Sequence, residues 1–375
     1  MRQEDNELLT RVGPGTKMGV LLRRYWWPVG FTQGLTDEPV LTRLMGEDFV
    51  LFRDGQGRVG MVDKACPHRG TSLQYGRAEA AGLRCCYHGW LFDTAGCCLE
   101  MPAEPADSTL KNHIRVQAYP TQEAGGLIFA YLGPAPAPLL PAYDLLLRED
   151  VDRIVRAGVD RCNWLQRAEN GADPAHSMAL HAPVYPSIAL KRPDVEYRET
   201  WYGMRFVIDY ENGRRNVFHQ IMPAHTRRFG ARAGYKHPAQ YLHFRVPADD
   251  FETITYIIEA VQTDDGRPGT LETRPLRRHA PGEYTKVKDG WWGIASRDQD
   301  RIAQEGQGTI ADRTKENLAT SDKGIAMFRR FLFEGLAAIE RGEDPMGVIR
   351  DPGKNAMIEF DAQKNFTDIE EEAAG

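Results

Sequence analysis

Two short segments concentrate the side chains that bind soft metals. One reads Cys66-Pro67-His68-Arg69-Gly70, the other Cys85-Cys86-Tyr87-His88-Gly89. Each offers one thiol and one imidazole, as C-x-H and C-x-x-H, and such close spacing indicates a metal site. A structural zinc accepts two Cys and two His, but zinc modules usually pair Cys with Cys and His with His. A 2Fe–2S cluster with both thiolates on one iron and both imidazoles on the other needs each loop to touch both irons. Cys66, His68, Cys85 and His88 are therefore expected to hold such a cluster, at a potential raised by its neutral ligands. Gly70 and Gly89 let the backbone approach the cluster sulfurs. Cys86, Cys97 and Cys98 read as packed thiols rather than redox groups.

A second group lies at Asn170-Gly171-Ala172-Asp173-Pro174-Ala175-His176-Ser177-Met178-Ala179-Leu180-His181. Asp173 and His176, three apart, share a face on a helix. His176 and His181, five apart, do not, so the helix should distort or end between them, with Pro183 just beyond. Two imidazoles and one carboxylate make the facial triad of non-haem Fe(II) sites, with positions left open for oxygen. The carboxylate must come from elsewhere. Asp300 is the expected third ligand and Asp298 its rival.

These groups need elements to position them. Residues 1–38 read as a helical segment broken at Gly13-Pro14-Gly15. Residues 39–133 read as short strands with turn signals such as Asp54-Gly55, an all-β domain for the first metal group. Residues 134–142 open with Pro134-Ala135-Pro136-Ala137-Pro138, a Pro-rich linker. Residues 143–375 read as a catalytic domain with an antiparallel sheet flanked by helices: helical at 163–181, strand-like at 200–210, 240–246 and 253–262, helical again from 298. The fold class is α+β.

Composition narrows the partners. The chain has 375 residues, 47 Lys+Arg against 53 Asp+Glu, and a net charge of −6, which disfavours a basic nucleic-acid surface. No apolar run is long enough to span a membrane, and the acidic N-terminus lacks a secretory pattern, so a cytoplasmic location is expected. No Gly-rich motif has the strand–turn–helix setting of a dinucleotide site, so a nicotinamide cofactor must be handled elsewhere.

The two metal motifs in this order resemble the Rieske non-haem iron oxygenases, specifically their large (α) subunits. The resemblance covers nearly the whole chain. Glu4-Asp5-Asn6-Glu7-Leu8-Leu9-Thr10-Arg11-Val12-Gly13-Pro14-Gly15 and Gln304-Glu305-Gly306-Gln307-Gly308-Thr309-Ile310-Ala311-Asp312-Arg313 look like the phthalate dioxygenase-like branch. One departure is Cys86, where such loops commonly have proline. The resemblance implies a Rieske 2Fe–2S cluster and a mononuclear Fe(II), with NADH electrons arriving through a separate flavin/iron–sulfur reductase. It implies a homotrimer or stacked trimers in which Asp173 bridges a cluster histidine of one chain, His88 rather than His68, to an iron-ligating histidine of the next. Asn170 would stand beside it.

The implied reaction is O2-dependent dihydroxylation of an aromatic carboxylate, such as a phthalate or substituted benzoate. The alternative is O-demethylation or aryl ether cleavage by a monooxygenase. An electron carrier would not need the second metal group. An anionic ring would want a guanidinium. Arg205 and Arg245 are the candidates, with weaker grounds for Ser177, Asn216 and His219. Trp201, Phe206 and Phe218 read as core, and Trp291-Trp292 as packing.

Overall fold

The computed structural model describes residues 1–182, 189–211, 213, 215–230, 237–287, 293–358 and 360. Pro183, Trp291-Trp292 and the acidic tail lie outside the described residues. The chain is α+β. Its N-terminal third builds three small sheets. In one, Arg77–Glu79, Gly82–Arg84, Leu91–Phe92 and Cys98–Glu100 form a meander whose central hairpin loop is the second Cys/His segment. Beneath it lies a separate apolar cluster of Val50, Phe52, Val62, Leu73, Leu83, Trp90, Phe92 and Val116.

The first 38 residues are not wholly helical. Helices Gln3–Thr10 and Lys17–Leu22 are followed by strand Trp26–Phe31, which pairs with Leu127–Tyr131. The strand was missed because Trp26, Trp27, Pro28 and Val29 are all buried, which removes the alternation that marks a strand. The N-terminal helices pack against the C-terminal half. Trp164 Nε1 donates to the Leu9 carbonyl at 3.2 Å, and Asn163 Nδ2 to Thr10 O at 2.9 Å.

A nine-stranded sheet organises the C-terminal half. Its main order is Asp194–Thr200, Gly203–Asp209, Arg215–Ile221, His225–Gly230, Ala239–Pro247, Thr253–Gln262, Val151–Asp160, Leu271–Thr273. Neighbours are antiparallel until Leu271–Thr273 and Arg277–Arg278, which join Val151–Asp160 in parallel. The two-residue period sorts each strand onto two faces. Leu242, Phe244, Val246, Ile254, Tyr256 and Ile258 enter the main core. Each such side chain contributes about 1.5–3 kcal/mol by leaving water. The intervening residues, Tyr241, His243, Arg245, Thr255, Ile257 and Glu259, line a cavity.

Helices close over that cavity. The expected helix at 163–181 is two helices, Trp164–Gly171 and His176–Leu180, separated at residues 172–175. The first is capped by Asn163, whose side chain accepts from Leu165 N at 3.1 Å. Ser296–Glu305 and the long Lys323–Glu340 complete the cover. Among the described residues no helix is long and apolar enough to cross a membrane.

Glu169 ties these helices together through two buried guanidiniums, Arg313 at 2.8 Å and Arg329 at 2.7 Å. Glu169→Gln leaves both without that anion, and removing one member of a buried ion pair is strongly destabilising. Unfolding in urea is expected to show a loss of about 3 kcal/mol; an unchanged midpoint would refute the structural role of this cluster.

Candidate active site

The two Cys/His segments fold alike. Ala65 bridges Ser72, and Arg84 pairs with Leu91, closing two loops of equal length. In the first, Cys66 N donates to Thr71 O at 2.9 Å and Gly70 N to Cys66 O at 2.9 Å; in the second, Cys85 N donates to Trp90 O at 2.8 Å and Gly89 N to Cys85 O at 3.1 Å. Both loops turn on a glycine at positive φ, 75° at Gly70 and 73° at Gly89, where other residues are strained. The thiols of Cys66 and Cys85 are buried. Burial pushes the Cys66 thiol up to about 11, and the adjacent Cys85 adds to the shift.

His68 is exposed and His88 half-buried, their ring centroids 4.4 Å apart, with Trp90 stacked on His68 at 4.3 Å. A single tetrahedral zinc would draw its ligand atoms to about 3.5 Å from one another. Among the described residues only His176, His181 and Asp300 form a set of three within 4.8 Å. The Cys/His loops thus do not close on one ion, while two buried thiols and two more exposed imidazoles fit a cluster with two unlike irons. Cys98 is buried as expected, but Cys97 is only partly buried and Cys86 is exposed, because its position falls on the outer turn of the loop.

His176 starts its short helix and His181 follows the last turn. Asp300 reaches them from the Ser296–Glu305 helix, its Oδ1 lying 3.6 Å from His176 Nε2 and 3.4 Å from His181 Nε2. One imidazole is held from behind: His181 Nδ1 is 2.8 Å from Gln299 Oε1, which turns its Nε2 to the carboxylate, the orientation that metal-ligating histidines need. His176 Nδ1 lies 3.5 Å from Asp173 Oδ2 without a hydrogen bond. Burial would raise the Asp300 carboxyl, but the His181 hydrogen bond and the charges of His176, His181 and Arg167 hold it well below the usual range. Asn170 Nδ2 donates to Asp300 Oδ1 at 3.3 Å. The donor set fits a hard divalent cation with open positions. Asp298 is engaged elsewhere: its Oδ2 accepts from Thr285 N at 2.8 Å, and its Oδ1 faces Arg301.

The triad opens into a cavity of about 740 Å³ lined by the polar face of the large sheet. Arg245, Ser177 and Asn216 line it; Arg205 and His219 do not. Arg205 stands opposite His219 in register, on the face away from Phe206 and Ile208, so the period of two puts both behind the cavity wall. His219 is instead 2.7 Å from the Tyr202 hydroxyl and packs on Phe360. Phe206 is buried in the core as expected and Phe218 packs against that core, the two rings stacking at 5.4 Å where it meets the cavity wall; Trp201, also expected in the core, is half-exposed.

Arg245 is buried, with Nη1 donating to Thr226 Oγ1 at 2.9 Å and Nε without a partner. Burial pushes its guanidinium down to about 9, and Arg167 pushes the same way. His243, one position inward on the same face, is held well below its ordinary value by burial and then by the nearby charges of Arg228, Arg245, Arg156 and Arg167. It is neutral at physiological pH. Gln299, His243, Arg156 and Arg228 were missed in the sequence. The alternation Tyr241-His243-Arg245 was the available signal.

Residues 25–120 match the Rieske [2Fe-2S] domain family. The sequence is 39% identical to the 5,5'-dehydrodivanillate O-demethylase oxygenase subunit of Sphingobium sp. (strain NBRC 103272 / SYK-6), over 95% of this chain and 85% of that one. It is 48% identical to the tert-butanol monooxygenase / tert-amyl alcohol desaturase oxygenase subunit of Aquincola tertiaricarbonis, over 91% and 78%. It is 34% identical to the phthalate 4,5-dioxygenase oxygenase subunit of Pseudomonas putida, over 92% and 88%.

The different surroundings of the two acidic residues give a direct test. Asp300→Ala is expected to lower bound iron from about three to about two per chain while the red-brown cluster absorption persists. Asp298→Ala is expected to keep all of it. Equal iron in the two variants would remove Asp300 from the ligand set.

Proposed function

The chain belongs to the Rieske non-haem iron oxygenases, as an oxygenase subunit, and we propose that it oxidises an aromatic carboxylate held by the arginines of its cavity. The Rieske cluster relays electrons from a separate reductase, and the mononuclear iron activates oxygen. In this reading Cys66, His68, Cys85 and His88 hold the cluster, and His176, His181 and Asp300 hold the iron. The reductase takes the electrons from NADH. In this reading the chain assembles as a homotrimer or stacked trimers, and Asp173, 3.5 Å from His176 and partly exposed, bridges to a neighbouring chain's cluster histidine. Asn170 steadies the Asp300 carboxylate.

The single observation that carries the substrate class is Arg245. A guanidinium buried beside the triad, with one side-chain hydrogen bond and an idle Nε, is costly unless an anion arrives. A carboxylate matches its fork. The Phe206–Phe218 pair offers an apolar wall for the ring, and neutral His243 offers a hydrogen bond without a competing charge. A small neutral alcohol, the substrate named for one relative, would leave these cations uncompensated.

For an aromatic acid, ring dihydroxylation is the reaction expected from the sequence, and O-demethylation or aryl ether cleavage is the alternative. O-demethylation is favoured by the relatives, since the demethylase is more similar to this chain than the phthalate enzyme is.

Labelled oxygen separates them. With a reductase, NADH and a panel of benzoates, phthalates and methoxybenzoates, a ring diol carrying two labelled atoms would establish dihydroxylation. Formaldehyde release with an unlabelled phenol oxygen would establish O-demethylation. Arg245→Met is expected to raise KM for any accepted acid roughly 100-fold, as loss of a charge-assisted pair implies. An unchanged KM would overturn the carboxylate reading.

A further inference from the structure

Two cavities meet at the triad. The one under the sheet is lined by Arg167 and Asp300. A second, of about 480 Å³, is walled by the helices Trp164–Gly171, Ser296–Glu305 and Lys323–Glu340, through residues such as Gln304 and Ile325. Asn170, Asp173 and His176 line both. Gln307, Asp312 and Lys315, all exposed, line the second cavity as well, so solvent reaches it. The contact between Arg167 and Gln304 partitions the two, Arg167 facing the first and Gln304 the second.

The second cavity is built for water. Gln304 is 3% exposed, its Oε1 is taken by Arg167, and its Nε2 has no hydrogen-bond partner among the described residues. A buried amide nitrogen is costly in that state, and in a polar space a water satisfies it. A water takes about 30 Å³ in the liquid, so the space holds a chain of them. The charges of Glu169, Arg313, Arg329 and Glu316 on the wall pair with one another and leave such a chain free to run past them.

The chemistry needs a route of this kind. Ring dihydroxylation and monooxygenation both consume two electrons and two protons for each O2. In the first, both oxygen atoms enter the ring; in the second, one enters the substrate and the other leaves as water. The cluster supplies electrons without protons, and a substrate seated against the triad displaces water from the sheet side. We propose that the second cavity is the proton entry: ordered waters run from the Gln307–Lys315 rim past Gln304 to Asn170 and Asp173, and carry both protons to the metal centre. Gln304 is a positioning residue, holding Arg167 with its oxygen and the water chain with its nitrogen. The inference rests on His176, His181 and Asp300 as the iron ligands, and on neither the substrate class nor the outcome of oxygenation.

Filling the cavity tests it. Ile325→Trp does so from one helix and Ala303→Phe from another, and neither residue is a metal ligand or part of the ion cluster. The reduced, substrate-loaded enzyme is mixed with O2 in weak buffer containing a pH-indicator dye, and proton uptake and product are followed through one turnover. Both variants are expected to slow the two together at least about tenfold, with a larger solvent deuterium isotope effect and an unchanged iron content. Ile325→Val, which leaves the space open, should behave as the parent. Gln304→Glu, which keeps a partner for Arg167 and an anchor for water, should retain most of the rate that Gln304→Leu loses. A crystal structure of the iron-loaded chain should show a water about 3 Å from Gln304 Nε2, and this decides the matter where a filled variant does not fold. Unchanged proton uptake in both filled variants, slowed product with an unchanged isotope effect, or no water at Gln304 overturns the route. The iron content of Asp300→Ala tests the ligand set separately, so these results with full iron overturn the route alone.

Discussion

Two imidazoles and a carboxylate must be kept converging on one point, and those groups come from helices about 120 positions apart in the chain. The helices Trp164–Gly171 and Ser296–Glu305 meet this demand through polar contacts. Arg167 reaches Gln304, Gln166 Nε2 donates to Gln304 O and Gly308 O at 2.9 Å each, and Asn170 reaches Asp300. Residues 167 and 170 are one turn apart on the first helix, and 300 and 304 one turn apart on the second. The contacts therefore form rungs of a ladder that fixes both the separation of the helices and their rotation about their axes. The polar inner face this creates demands further partners. Asp160, 2.9 Å from Arg167 and 2.7 Å from Thr255 Oγ1, carries that demand into the sheet.

The Rieske-type loops meet a simpler demand. Each ligand pair sits in one closed loop, and the loops repeat one backbone pattern at Cys66–Thr71 and Cys85–Trp90. A local motif of this kind is legible in the sequence because spacing alone sets its geometry. The His176/His181 pair is legible as two ligand types close in sequence, although its orientation depends on the helix ending between them and on the distant Gln299. Asp300 was harder, since both it and Asp298 lie on one amphipathic helix. Only the rotation set by the ladder turns Asp300 to the imidazoles and Asp298 toward Thr285 and Arg301.

The cavity face was legible least. Strands Arg215–Ile221 and His225–Gly230 were not expected, because charged and polar residues occupy both of their faces. Arg228 and Asn216 line the cavity, while Arg227 on the opposite face is fully buried against Asp144 at 2.8 Å. A hydropathy pattern cannot register a strand whose inner side pairs buried ions and whose outer side lines a polar cavity. The same limit explains Arg205 and Arg245. Both sit among apolar neighbours, and only the register of the whole sheet decides which one faces the cavity of the triad.

Because that sheet divides its residues by parity, it separates two kinds of inheritance. Leu242, Phe244 and Val246 hold the core together, while Tyr241, His243 and Arg245 meet whatever enters the cavity. Point substitutions at odd positions of this strand can redraw the shape and charge of the cavity while the packing behind it is left intact. An insertion or deletion of one residue exchanges the two sets and loses both. A lineage built on this sheet is free to diversify by replacement and is barred from doing so by changes of length, except in the loops at its ends.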